Sequence, residues 1–271
     1  MARQRGLALV TVLLVMALLT LLVAGMLRSH QLLVAGVGQQ LEANQLLQLA
    51  SAGERILLRQ LADEGRARPQ QLLVADSRLE LRVEDLGGRL NLGALIGREA
   101  IDPVLLERWQ RLCASLQISA PAVDMLVGQT ILDVSQLRQL PGLSLEAFER
   151  LRPWVAALPA KAGLNVNSAP ARVLATLDGI GLATARQVVA ERPPTGFASV
   201  QQFLATPALA GRVTQAQGLA VSSRWLRLEI LADQPSRRLY LYSDVEIDSE
   251  TGQVHVVRRR ISAVREPQPD E

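Results

Sequence analysis

The amino end of the chain carries an apolar run that limits what the rest can be. From Leu7 to Leu27, 21 consecutive residues hold no charge, and only Thr11 and Thr20 supply hydroxyls. As a helix the run is about 31 Å long, enough to cross the hydrocarbon core of a bilayer. A cleaved secretory signal has a shorter apolar stretch, about 7–15 residues, ending in small residues at its cleavage site. Ala24 and Gly25 imitate such a site, but the run before them is too long for it. Arg3 and Arg5 precede the run, so the positive-inside rule keeps the amino terminus cytoplasmic and puts the body of the chain on the far side.

The helical pattern does not stop with the apolar run. Residues 28–64 contain no proline, and Leu46, Leu49, Ala50, Ile56, Leu57 and Leu61 fall on one broad face. The polar residues Glu42, Gln45, Glu54, Arg55 and Arg59 are expected mostly on the other side. Gly36, Gly38 and Gly53 each weaken a helix by up to about 1 kcal/mol and favour slight bending. Gly65 and Pro69 end the segment. The sequence thus predicts one helix of nearly 60 residues, about half in lipid (7–27) and half supporting a soluble body (28–64).

Beyond it, Leu79, Leu81 and Val83 alternate with charged residues, which predicts a strand within a region spanning 65–97. From 98 to 217 the pattern is helical and cut by prolines, so short helices with tight turns are expected. Strand alternation returns in Arg224–Leu231, Arg238–Ile247 and Gln253–Ile261, within 218–262, with Asp248–Gly252 as a turn. An antiparallel meander with one face on the long helix is the simplest assembly. The remainder, 263–271, is proline-rich and polar and is expected to be disordered.

Two stretches of the helical region look alike: 135–158 with Pro141-Gly142-Leu143 and 164–205 with Gly179-Ile180-Gly181. Each reads as helix, hairpin, helix, and in the second Ala185 packs close behind the hairpin. Hairpin glycines of this kind let backbone N–H groups approach a phosphate, so nucleic acid is one candidate partner. The charge favours a structural or protein-binding role instead. Residues 161–205 carry a net +2 and residues 133–160 a net zero, and Arg186 is the only cation after the hairpin before Arg192.

The leader Arg3-Gln4-Arg5-Gly6 placed directly before an apolar helix resembles type IV pilins and pseudopilins. In that family a prepilin peptidase cuts after the glycine, here Gly6, and methylates the new amino terminus, here Leu7. Residues 1–6 would then be a removed leader. Most members carry a glutamate at the fifth mature position, where this chain has Thr11. That departure, and the stretches LPGLSLEAFERLRPWVAALP and LNVNSAPARVLATL, resemble the K-type minor pseudopilins of the bacterial type II secretion system. The resemblance covers nearly the whole chain.

It implies an α+β, type IV pilin-like fold: a long amino-terminal helix packed on an antiparallel sheet, with a large all-α insert holding two helix-hairpin-helix-like repeats. It also implies an inner-membrane, single-pass protein with a periplasmic body, joined to I- and J-type minor pseudopilins at the tip of a pseudopilus that supports export of folded proteins. Two alternatives remain open. One is a membrane-anchored DNA-uptake receptor, which carries a similar hairpin module, and the other is a minor pilin of a type IV pilus. Calcium is associated with the K-type family, but no converging set of oxygen ligands maps onto this chain, so no metal ligand is assigned. No cofactor is expected.

Nothing in the sequence assembles a catalyst. His30 and His255 are far apart and without partners at ligand spacing, and no nucleophile or phosphate-loop motif is present. Cys113 is alone, so it forms no intramolecular disulfide and is expected to be a small buried apolar residue. Arg258-Arg259-Arg260 alternate across both faces of the last strand and are expected at a solvated or subunit-facing edge. The net charge of +3 does not indicate bulk nucleic-acid binding.

Overall fold

The computed structural model describes residues 2–96, 100–211 and 215–269; for 2–11 and 29–39 it describes the helical backbone alone. Helix α1 runs unbroken from Ala2 to Glu64. It stops where Gly65 takes φ 66° and its N–H returns to Leu61 O at 3.0 Å, a left-handed cap that a side chain resists. Every residue from Val12 to Arg28 is exposed. The described side chains of the apolar run begin only at Val12, and among the described residues no helix is long and apolar enough to cross a membrane.

After α1 come strands β1 (Gln70–Val74) and β2 (Ser77–Asp85), then β3 (Leu90–Asn91) and helices α2 (Leu92–Leu95), α3 (Pro103–Ser115) and α4 (Leu145–Leu151). Strands β4 (Val155–Ala156) and β5 (Leu164–Asn165) precede helices α5 (Ala171–Leu174), α6 (Leu182–Ala190) and α7 (Val200–Leu204). The chain closes with β6 (Leu219–Ala220), β7 (Trp225–Gln234), β8 (Arg237–Ile247) and β9 (Val254–Ser262).

The main sheet has the order β1-β2-β7-β8-β9, antiparallel throughout. β2 and β7 are neighbours, with Leu81 opposite Ile230, although the whole helical region lies between them in sequence. That region is therefore an excursion between two neighbouring inner strands, closed off by the β2–β7 ladder. β1 carries no alternating pattern: its sequence, QQLLV, has two polar then three apolar residues, and as an edge strand it is half open to solvent.

The α1 face of the sheet carries Leu79, Leu81, Leu228, Ile230, Ala232, Leu241 and Val245, which bury against Leu46, Ala50, Leu57 and Leu61 of the helix. Gly53 lies at the closest approach. A Cβ there would stand 2.6 Å from Leu81 Cδ2 and 3.0 Å from Ile230 Cγ2, so the glycine sets the helix–sheet distance. Glu54, expected on the polar side, is instead 4% exposed. Its position four after Ala50 and three before Leu57 puts it on the buried face, and its Oε1 accepts from Ser243 Oγ at 2.6 Å and Arg259 Nε at 2.7 Å.

The helical region has its own core around Trp109, Leu112, Leu151, Val173, Leu174 and Phe203. It is stitched together by two short parallel pairs, β3 with β4 and β5 with β6. Asn91 serves as a clamp: Oδ1 accepts from Gly93 and Leu158 N–H, and Nδ2 donates to Pro159 and Ala162 carbonyls. One amide side chain thereby satisfies four backbone groups, one in α2 and three in the loop after β4.

The tail, expected to be disordered over 263–271, lies on the outer, polar face of the sheet in its described part, 263–269; residues 270–271 lie outside the described residues. Glu266 N–H donates to Tyr242 Oη at 2.7 Å, Arg265 Nε donates to Glu229 Oε1 at 2.8 Å, and Gln268 Nε2 to Glu229 Oε2 at 2.7 Å. A polar tail can order when the surface beneath it presents complementary polar groups, which composition alone does not reveal.

Candidate functional site

In the second hairpin α5 leads through Thr176, Leu177 and Asp178 to Gly179, whose φ is 71°. Ile180 turns inward and is buried, and Gly181 stands at the N-cap of α6 without a side-chain cap. A Cβ at Gly181 would meet nothing within 4 Å, so its open side faces away from the body. Ala185 and Val188 of α6 are buried behind the turn, and Phe197 meets Phe203 edge to face at 5.5 Å.

The arginines near this hairpin point into the protein. Arg172 Nη1 donates to Ser115 O at 2.6 Å, and its guanidinium lies 5.1 Å from the Trp154 ring centre. Arg192 Nη2 donates to Ala169 O at 2.8 Å. Arg111 Nη1 donates to Thr176 O at 3.0 Å, and Nη2 pairs with Asp178 Oδ1 at 2.5 Å. Arg186, on the exposed side of α6, remains turned to solvent. A duplex-binding surface needs several cations aimed outward. Here the guanidiniums fix the backbone of their own module.

The first hairpin differs in detail. Its leading element is a 3-10 turn, Val134–Gln139, opened by a capping box between Asp133 and Gln136. Gly142 takes φ 79°, and Ser144 caps α4 by accepting from Ala147 N–H at 3.1 Å. Arg138 lies over the Phe148 ring, and Arg150 donates to Leu116 O.

Polar side chains join the helical region to the sheet. At the end of β2, Asp85 Oδ2 accepts from Asn165 Nδ2 at 2.6 Å and Ser168 Oγ at 2.8 Å, while Oδ1 accepts from Gly87 N–H at 2.8 Å. Asn167 Nδ2 donates to the Phe197 and Val221 carbonyls, and its Oδ1 accepts from Phe197 N–H at 2.7 Å. Asn165 of the LNVNS stretch thus ties the second hairpin to the end of β2, and Asn167 ties it to the loops at Phe197 and Val221.

Beside them lies a cavity of about 160 Å³ rich in arginine. Arg227 makes a two-pronged pair with Asp244, at 2.6 and 3.1 Å, and reaches Glu266 of the tail at 3.1 Å. Arg260 meets Glu266 at 2.8 Å, and Arg258 pairs with Asp133 of the first hairpin. Burial pulls the Arg227 guanidinium down, but the hydrogen bonds and charge of Asp244, with Glu266, outweigh it and leave its pKa above the ordinary value. Burial pushes the Arg89 guanidinium down, with Glu84 at 2.5 Å opposing the shift. The three arginines of β9 are therefore spent in ion pairs: Arg259 to Glu54 on the helix side, Arg258 and Arg260 across the outer face. They are not simply a solvated edge.

The remaining residues singled out in the sequence lie apart. The side chains of Gly6, Leu7, Thr11 and His30 lie outside the described residues. His255 is exposed on β9. Cys113 is buried in the helical core, and burial pushes its thiol up to about 12, which leaves it unreactive at neutral pH. Among the described residues no group of three or more His, Cys, Asp or Glu side chains could hold a metal ion. In the Asp248–Gly252 turn, Asp248 Oδ1 accepts from the Thr251 and Glu250 N–H groups and the Thr251 hydroxyl. Those bonds hold its carboxyl below the usual carboxylate range. Among the described residues these polar side chains tie one element of the chain to another.

Comparison with known proteins follows the same lines. The family model described as "Type II secretion system (T2SS), protein K" matches residues 164–222, the stretch from β5 through β6. Type II secretion system protein K of Pseudomonas aeruginosa is 29% identical over 94% of this chain and 92% of its own length. That of Klebsiella pneumoniae is 29% identical over 83% of this chain and 84% of its own. The crystal structure of the GspK-GspI-GspJ complex from enterotoxigenic Escherichia coli contains a chain similar in fold. The TM-score is 0.69 with 20% identity, covering 83% of this chain and 98% of that one.

Proposed function

We propose, from the premise that the chain belongs to the type II secretion system protein K family, that it is a minor pseudopilin anchored in the inner membrane by α1 with its body in the periplasm. The observation that carries the reading is the division of α1. Residues 12–28 are exposed all round and, Thr20 and Arg28 apart, apolar or small, whereas further along Leu46, Ala50, Leu57 and Leu61 bury one face on the sheet. A helix apolar on every side has no partner in water and fits lipid or the helices of other subunits. Helix on antiparallel sheet is then a pilin-like body, and the excursion between β2 and β7 is the bulky insert, its two hairpins acting as helix-hairpin-helix-like structural units.

The solved relative of similar fold is a complex with GspI and GspJ, which supports I- and J-type minor pseudopilins as partners of this chain. A tip position accords with the size of the insert, which is awkward to stack repeatedly in a thin fibre. Thr11 accords with it too: a glutamate there would be expected to meet the amino terminus of a neighbouring subunit, and its absence suits a subunit with none ahead. The inward-turned arginines of the second hairpin favour this reading over a DNA-uptake receptor. The role is assembly and support of export, without catalysis.

Intact-mass measurement of the full chain, made in cells with and without prepilin peptidase, tests the reading. Loss of residues 1–6 and a methyl group on Leu7 only when the peptidase is present is expected. An unprocessed chain in both would leave an ordinary membrane anchor.

A further inference from the structure

Two arginines of the body, Arg89 and Arg108, are buried and a third, Arg227, nearly so, and they are not equivalent. Arg89 faces Glu84 at 2.5 Å and Arg227 faces Asp244 at 2.6 Å. Arg108 of α3 is 3% exposed yet forms no ion pair among the described residues; its Nη2 donates to Gln217 O at 3.1 Å. Burial pushes its guanidinium down, and the charges of Asp102 and Asp178 only partly draw it back. Asp102 spends Oδ1 on the Val104 and Leu105 N–H groups at the start of α3. A buried cation held by one carbonyl is costly, and the cost falls when an anion joins it.

Arg108 lines a cavity of about 200 Å³ between α3, the Leu90–Ala94 segment, the turn before β5 and Gln217–Gly218. Its walls include Leu90, Ala94, Leu105 and Leu164, and the exposed Lys161 stands at its edge. Arg108 and Lys161, set against Asp102, leave a single positive charge at the cavity, because Asp178 lies outside its lining and is offset by its own partner Arg111. That balance suits a monoanion better than a phosphate, and apolar walls suit a short hydrocarbon body.

We propose that this cavity is a binding site for a carboxylate on a short aliphatic body, held by Arg108 with Lys161 beside it. The same chemistry is offered by a free short-chain carboxylic acid and by the carboxyl terminus of a peptide ending in a small aliphatic residue.

Titration calorimetry of the full chain in detergent, with butanoate, butanamide, and a short peptide ending in Val as free acid or amide, tests the site. Saturable binding of butanoate assigns it to a free acid, and binding of the peptide acid alone assigns it to a chain end; either result supports the proposal. Arg108→Gln should weaken that binding at least about tenfold, and Lys161→Ala by a smaller factor. No saturable binding of either acid overturns the proposal, as does equal binding of the amides. Should Arg108→Gln fail to fold, Lys161→Glu, an exposed change, must still weaken binding; unchanged affinity there overturns the proposal as well.

Discussion

Glu54 of α1 and Ser243 of β8 share a hydrogen bond of 2.6 Å in the layer where the helix meets the sheet, and the Ser243 side chain has no exposed surface. Arg259 of β9 approaches the same carboxylate oxygen at 2.7 Å. Helix, inner strand and edge strand thus converge on one oxygen. Glu54→Ala leaves a buried hydroxyl without its acceptor and an arginine without its anion, at a cost of about 2–3 kcal/mol. Thermal unfolding of the variant should begin about 5 °C or more below wild type, with Glu54→Gln falling between the two. An unchanged midpoint in Glu54→Ala would show that the contact adds nothing.

Gly53 predicts an effect opposite to helix propensity. Alanine favours a helix interior by about 1 kcal/mol over glycine, yet its Cβ would meet Leu81 and Ile230 inside contact distance. Gly53→Ala is expected to destabilise, and Gly53→Val more so, by about 1–3 kcal/mol from overpacking. Denaturant titration decides the sign. A stabilised Gly53→Ala would mean that the helix rides farther from the sheet than described.

The spacing rules that make Glu54 and Gly53 important also explain what the sequence could and could not tell. The apolar positions of α1, the alternation of β2, β7 and β8, and the glycine at Gly179 were legible because each follows from a local period or a single φ. Glu54 was read by its charge instead of by its position, although its spacing from Ala50 and Leu57 already placed it inside. The ion pairs of Arg258 with Asp133 and of Arg227 with Glu266 join residues distant in sequence, so no local pattern announces them. The asparagines at 165 and 167 were visible only as part of a family-like stretch, and Asn91 carried no signal of its own. Their role as clamps emerges once the loops they bridge are folded.

Tyr242 makes the outer face sensitive to alkali. Burial pushes its phenol up to about 12, with the hydrogen bond from Glu266 N–H opposing the shift. The folded form therefore keeps a proton that the unfolded chain releases near pH 10. The corresponding stability is complete below about pH 10 and is lost as pH rises toward 12. Denaturation midpoints measured from pH 9 to 12 should fall across that window, and Tyr242→Phe should fall less steeply. Parallel curves for the two proteins would contradict the assignment.

Glu266 ties the tail to the sheet through Arg227 and Arg260 and approaches Arg152 of the helical region at 3.8 Å. Glu266→Gln is expected to cost about 1–2 kcal/mol and to loosen the tail. Hydrogen exchange should then quicken at the Glu266 amide, which is bound to Tyr242, while the amides joining β7 to β8 stay protected. Equal protection in variant and wild type would mean that the tail is held without its carboxylate.

Co-purification of the full chain with the I- and J-type minor pseudopilins of the same organism, solubilised together from membranes, tests the central claim most directly. A stable complex of all three, which survives gel filtration and requires this chain's body, is the predicted result. Elution of this chain alone, while the other two associate without it, would contradict the account.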